Sequence, residues 1–438
     1  MRPLRSLLAL ALAWFATPIA VAQAVDYEAD VRFALEELDR QCGDLLRAKD
    51  IDWKKVTKQF QKEAKAVETD QQHLVLLVRL LARLEDGHCA VQPLESGKDV
   101  KWPDEPERTG AGMFWCKSGK KILLKNTWNT AEDVGLKPGM EVVSVDGVGV
   151  DKWLDARIAE LRDTQSFSTD QQAFFFATHW GLGMPVGTRM KLEVKGVDGK
   201  KSKRTLTFSR SSVVPWGPAV FPEGLEGDDD VRWCRLPSGD GYVHLRRCKG
   251  DLPERMDEAL AKLGDVPGLI LDFRANGGGG FDHEAFLGRF VPAGKQLAFT
   301  KTYASAGANP YGGPIVVIVD GNCRSAGETG SGMFKEDGRA YMIGESPTAG
   351  MSSSKTTLEL PSRLFALYVS VASNMGRFNG GKGIEGLGVI PHEIVEYDAK
   401  DLSEGVDTLT ARAEALLAER TWKGVPYDPA EFGWEAPD

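Results

Sequence analysis

The run Pro314-Ile315-Val316-Val317-Ile318-Val319 leads directly into Asp320-Gly321-Asn322-Cys323-Arg324-Ser325-Ala326-Gly327-Glu328, and the reading of this junction decides the fold. A short, β-branched apolar run bounded by small and polar residues is a strand buried on both faces. The small residues after it start a helix, with Glu328 near the first turn. A serine at such a corner holds its hydroxyl out at a strand end. The N–H of Ala326 points outward with the other unpaired donors of the helix start. That suits a nucleophile with an oxyanion donor beside it. Taken alone, the stretch fits a helix N-cap better.

Upstream, Gly268-Leu269-Ile270-Leu271-Asp272-Phe273-Arg274 reads as a second buried strand. It runs into Ala275-Asn276-Gly277-Gly278-Gly279-Gly280, which lets backbone approach a ligand closely and offers N–H donors. The loop lacks the Gly-Lys-Ser/Thr end of a P-loop. Gly277 or Gly278 could share an oxyanion with Ala326. Val231–Leu236 and Gly241–Leu245 flank a turn and read as a hairpin. Helices are expected over Pro253–Leu263, Glu284–Phe290 and Leu402–Thr421. Strands alternating with helices imply an α/β core with a parallel or mixed sheet and crossover helices.

The rest of the 438-residue chain divides by pattern. Arg2 and Arg5 precede an apolar run from Leu7 to Val21 and then Ala22-Gln23-Ala24. Residues 1–24 therefore read as a secretory signal peptide, too short in its apolar part for a membrane span. The expected location is periplasmic or secreted. Residues 25–102 carry apolar positions at helical spacing and read as a helical unit. It ends at Leu84-Glu85-Asp86-Gly87-His88-Cys89, a turn in which a lone histidine is read as structural. Residues 109–212 read as a β unit, 230–398 as the α/β core, and 399–438 as a C-terminal helix and tail. Pro- and Gly-bearing linkers separate the units.

The formal net charge is −9, which gives no electrostatic case for nucleic acid. Six cysteines in an exported chain permit disulfides, with Cys42 and Cys89 a plausible pair. No Cys/His spacing suggests a zinc site.

Two resemblances add to this reading. Gly135–Gly147 ("GLKPGMEVVSVDG") resembles the signature of PDZ domains. Gly110, Ala111, Gly112, Met113 and Phe114 resemble their carboxylate-binding loop, which implies a peptide ligand added as a strand. The segments "LILDFRANGGGG", "NCRSAGE", "GRAYMIGESPTAG" and "GIEGLGVIPHEIV" resemble, in that order, the core of C-terminal processing (tail-specific) and tricorn-type serine peptidases. The resemblance implies a crotonase-like αβ core, Ser325 as nucleophile, and no metal or organic cofactor. In the Ser–Lys scheme of that family a lysine is expected where Met351 stands, and methionine cannot take a proton. Lys355 lies roughly 13 Å further along an extended strand. The tricorn-type scheme then implies His244 as base and Glu385 as its support. Val243 stands where that scheme has a serine, and His392 where the family has Asp.

The expectation is an exported serine endopeptidase acting on peptide or protein substrates, with peptide recognition or gating by the PDZ-like unit. The alternative is an inactive peptide-binding scaffold of the same fold. An acyl-CoA enzyme on this fold does not suit an exported chain, because that cofactor is cytosolic.

Overall fold

The structure is a computed structural model that describes residues 25–209, 217–298, 302–351, 353–373 and 376–419. The expected signal segment and the end of the C-terminal tail lie outside these residues.

Three helices open the described chain: α1 (Tyr27–Ala48), α2 (Trp53–Ala64) and α3 (Asp70–Ala82). Each has a side-chain N-cap: Asp26, Asp52 and Thr69 accept backbone N–H groups three residues on, which satisfies donors the helix cannot. Their apolar stripes meet around Leu35, Leu38, Phe60, Leu77 and Leu80. The chain then enters a short strand, β1 (Ala90–Pro93).

The middle unit is an antiparallel sheet. Its strands are β2 (Met113–Ser118), β3 (Lys121–Thr127), β4 (Glu141–Val145), β5 (Arg189–Lys195) and β6 (Lys201–Thr207), with Val148–Gly149 paired to β4. Helices α4 (Val150–Leu161) and α5 (Asp170–Thr178) pack beside it.

The core begins with the hairpin β7 (Val231–Arg235) and β8 (Gly241–Leu245). Then come α6 (Leu252–Leu263), β9 (Leu269–Asp272), α7 (His283–Gly288), β10 (Ile315–Val319), α8 (Ala326–Glu336) and β11 (Tyr341–Gly344). A further antiparallel pair follows, β12 (Ser353–Glu359) and β13 (Phe365–Ser373), and then β14 (Glu393–Ile394). In the main sheet β8, β9, β10, β11 and β14 run parallel in that spatial order. The expected single terminal helix is two, α9 (Ala399–Glu404) and α10 (Thr408–Glu419). Gly405 in the left-handed conformation stops the first, as glycine commonly does at a helix end.

Strand residues alternate between faces, and the main sheet is covered on both. Val243, Leu271, Val317 and Met342 face α6, α7 and α8. Tyr242, Ile270, Ile318 and Ile343 face α10, together with Cys116 and Leu123 of the middle unit. The two faces therefore have different neighbours, and this parity decides which side chains can reach Ser325.

Candidate active site

Ser325 lies at the turn from β10 into α8 with φ of 56°. Holding a non-glycine residue there costs roughly 1–3 kcal/mol and needs surroundings that enforce it. Glu328 enforces it. Its buried Oε2 accepts the N–H groups of Ser325 at 3.0 Å and Met351 at 2.9 Å. Its Oε1 accepts the Gly350 N–H at 2.7 Å and the Thr348 hydroxyl at 2.6 Å. Burial raises this carboxyl to about 7, against the pull of the four donors. One carboxylate thus fixes the serine turn to the 348–351 segment.

The Ala326 N–H, first in α8, meets no acceptor among the described residues. It remains available to an oxyanion. The two glycines expected to share that role are already engaged. Gly277 N–H donates to the Arg246 carbonyl at 2.9 Å and Gly278 N–H to Asn276 Oδ1 at 2.8 Å. Gly278 serves differently, as a bare surface. A Cβ on it would lie 2.8 Å from the Ser325 Cβ.

His244 does not meet Ser325. It shares a face of β8 with Tyr242, the face that packs under α10, whereas α8 covers the opposite one. Its Nε2 is 3.0 Å from the Arg274 carbonyl, and its ring lies edge-on to Phe221 at 5.2 Å. Burial lowers its pKa, as for an imidazole kept neutral in a core. Beneath it Arg274 pairs with Asp272 and Asp407 and bonds Tyr397 and Thr410, all buried. This is a structural network.

Another histidine, His88, lies in a cluster of titratable side chains. A ring nitrogen of His88, a carboxylate oxygen of Asp86 and one of Glu385 lie within 4.8 Å of one another. The turn that carries Asp86 and His88 lies against Met351. A Cβ on Gly87 would lie 2.8 Å from Met351 Sδ, and Met351 N–H shares its acceptor with Ser325 N–H. His88 and Ser325 therefore flank the same segment. Both ring nitrogens of His88 and Oε2 of Glu385 are buried without a hydrogen-bond partner. The Asp86 carboxylate is 3.7 Å from His88 Nδ1, too long for a hydrogen bond.

Glu385 is held from two further directions. Lys49 Nζ donates to Oε1 at 2.8 Å, and the Ser168 hydroxyl donates to the same oxygen at 3.2 Å. Burial and then the charge of Asp86 raise this carboxyl to about 7, while Lys49 and Ser168 oppose the rise. Against a burial that would raise it, contact with His88 and the charge of Lys49 hold Asp86 well below the usual carboxylate range. Three such side chains are a conceivable metal set, but the Lys49 ammonium already supplies the positive charge at Glu385. A cavity of about 550 Å³ opens here, lined by Lys49, Phe167, Ser168, Glu385 and Leu387 among others.

The expected peptide loop is packed inward. Ala111, Met113 and Phe114 are buried. The Phe114 ring lies 4.9 Å from Trp128 and 4.3 Å from His179. Gly112 at φ 71° accepts the Trp128 N–H at 2.7 Å. Gly110 stays partly exposed. All six cysteines are free thiols, Cys42 and Cys89 included.

Sequence reasoning passed over His88, Asp86, Lys49, Ser168 and the clamp made by Glu328. Met351 in place of a lysine signalled that a base had to come from elsewhere. No local pattern told which histidine the fold would bring.

A strand-end serine fixed by a buried carboxylate, beside an open helix N–H, is an arrangement that suits serine-type peptidase chemistry. The profile of peptidase family S41 matches residues 240–395. It is 24% identical over 308 residues to a carboxyl-terminal-processing protease of Synechocystis, covering 68% of this chain and 64% of that one. It is 25% identical over 305 residues to the chloroplastic C-terminal processing peptidase of Tetradesmus obliquus, covering 65% and 59%. The match thus spans less than two thirds of either relative. The fold is similar to the crystal structure of mature CPAF, with a TM-score of 0.64 at 12% identity over 90% of this chain and 97% of that one.

Proposed function

We propose that the protein is an endopeptidase in which Ser325 is the nucleophile, His88 the general base and Glu385 the carboxylate that supports it. The observation that carries this reading is the cluster of His88 with Glu385, in which both ring nitrogens and Glu385 Oε2 lack a hydrogen-bond partner, near the segment that Glu328 ties to Ser325. The Ser325 hydroxyl attacks the scissile carbonyl as His88 takes its proton. The tetrahedral oxyanion is held by the Ala326 N–H. His88 then protonates the leaving amine, and the acyl-enzyme is cleared by water through the same base. Glu385 stabilises the imidazolium that forms in each half. The relatives are named for processing carboxyl termini, so the substrate class proposed is a polypeptide cut near its C-terminus.

The middle unit is proposed to bind the substrate in PDZ fashion. Its β2 is an edge strand, open to an added peptide strand. A cavity of about 720 Å³ beside it is lined by Lys117, Ile158, Phe174, Phe175 and Pro347. Export rests on the leader-like N-terminus.

Fluorophosphonate labelling tests the catalytic assignment. Wild type is expected to label at Ser325. Ser325→Ala and His88→Asn abolish labelling, whereas His244→Asn retains it once folding is confirmed by thermal midpoint. Labelling that survives His88→Asn but is lost in a folded His244→Asn would overturn the assignment. A wild type that labels under no condition would favour the inactive binding protein.

A further inference from the structure

We propose that Lys49 is a positioning residue for this chemistry, its ammonium holding the Glu385 carboxylate charged and turned toward His88, so that the N-terminal helices complete the active site. The inference rests on the assignment of His88 and Glu385 just made.

Lys49 caps the C-terminal end of α1. Its side chain is only 9% exposed. Nζ donates to Glu385 Oε1 at 2.8 Å and to the Glu85 carbonyl at 2.6 Å. Glu85 has φ of 48° and immediately precedes Asp86-Gly87-His88. One ammonium therefore fixes both the carboxylate and the turn that bears the histidine. Ser168 spans the same two elements from the middle unit, donating to Glu385 Oε1 at 3.2 Å and accepting the Gly87 N–H at 3.0 Å. Both donors fall on one oxygen, and the other, Oε2, is buried and unpartnered. An ion pair kept only for stability would have no reason to leave an oxygen open beside an unpartnered imidazole.

The electrostatics agree with the geometry. The charged and titratable groups around Glu385 are Lys49 from α1, Asp86 and His88 from the turn, and Asp44, Glu85, Arg162, Asp170 and Lys382 at the cavity wall. Burial and Asp86 push Glu385 toward the neutral form, and the charge of Lys49 is the first of the groups that oppose them. A neutral carboxyl cannot stabilise an imidazolium. Without the ammonium, Glu385 would hold its proton to higher pH, and the imidazolium would lose its support.

The rate of fluorophosphonate labelling of the full chain, measured across pH, tests this. Lys49→Met is expected to move the acid limb upward by about one unit or more, which is roughly a fivefold loss at pH 7 and a tenfold loss well below it. Lys49→Arg keeps the charge and should leave the limb in place. Ser168→Ala, which removes a neutral donor from the same oxygen, should move it in the same direction by less. A structural role alone would lower the rate at every pH and leave the limb where it was. A wild type that labels, with unmoved limbs in a folded Lys49→Met and in Ser168→Ala, overturns the role of Lys49 and spares His88. A labelling-competent His88→Asn would remove the assignment beneath it.

Discussion

At Ser325 the decisive contact is with a glycine that offers no hydrogen bond. Gly278 has φ of 76°, and a Cβ there would meet both the Ser325 Cβ and the Arg324 carbonyl at 2.8 Å. Gly278→Ala should therefore displace Ser325, the proposed nucleophile, more than it harms the fold. Backbone strain of about 1–3 kcal/mol is expected, while a displacement near 1 Å can cost about 10²-fold in rate. Labelling rate compared with the thermal midpoint separates the two. A variant that labels at the wild-type rate would show that the contact is slack. The acid limb also follows from single residues. Glu385 lies at about 7, raised by burial and Asp86, so its proton is on below that value and off above it. Labelling should rise through pH 7, and a profile flat from pH 5 to 8 would contradict the role given to Glu385. The strand-to-helix turn at Ser325 was legible in consecutive residues, which taken alone fit an N-cap better, and only the family resemblance pointed to a nucleophile. His88 was not legible. Its partners Lys49, Ser168 and Glu385 lie far away in the chain, and a turn histidine carries no periodic signal.

The elements show why His244 was a reasonable expectation and how strand geometry excludes it. The buried strands at 269–272 and 315–319, the hairpin before them and the helix at 326–336 all follow from apolar runs and turn residues. The face on which each residue of a doubly buried strand falls does not, because both neighbours are apolar and the run does not alternate. In the fold, β8 places His244 with Tyr242 under α10 and sends Val243 and Leu245 toward α8. What lies under α10 is ionic. Arg274 is fully buried between Asp272 and Asp407. Arg274→Met would leave two buried carboxylates without their cationic partner, at an expected cost of about 3–5 kcal/mol. Urea unfolding measures it, and a loss below about 1 kcal/mol would mean that water reaches the pair. The sequence placed Asp407 only inside one expected terminal helix, Leu402–Thr421, whereas it lies just before α10. The sequence could not show that the docking of this helix depends on an arginine at the far end of β9.

Composition shifts suggested separable units along the chain, but the packing joins them. The cluster around α1, α2 and α3 is closed by Leu358, Phe365, Leu367 and Val369 of β12 and β13, and β1 pairs with β13 in register from Ala90 opposite Tyr368. Asp30 of α1 accepts the Ser362 N–H at 2.8 Å. The middle unit has apolar residues of its own around Trp115, Leu124 and Leu192. The alternate residues of β2 and β3, Cys116 and Leu123, are buried instead against the main sheet and α10. Lys125 is fully buried there, 3.6 Å from Glu345 and 4.9 Å from the Tyr397 ring centre. Large chains usually unfold in steps, unit by unit. Shared cores oppose that, since removing any one unit would expose the apolar face of another. The described chain should therefore lose structure in a single calorimetric transition, with fluorophosphonate labelling lost over the same temperatures. The His88 turn and Lys49 belong to the first helices and β1, Ser168 to the middle unit, and Ser325 to the core. Labelling should accordingly fail as soon as any one of these undocks. Two resolved transitions, with labelling lost in the first while the second remains, would show that the helical or the middle unit comes away from a core that stays folded without it.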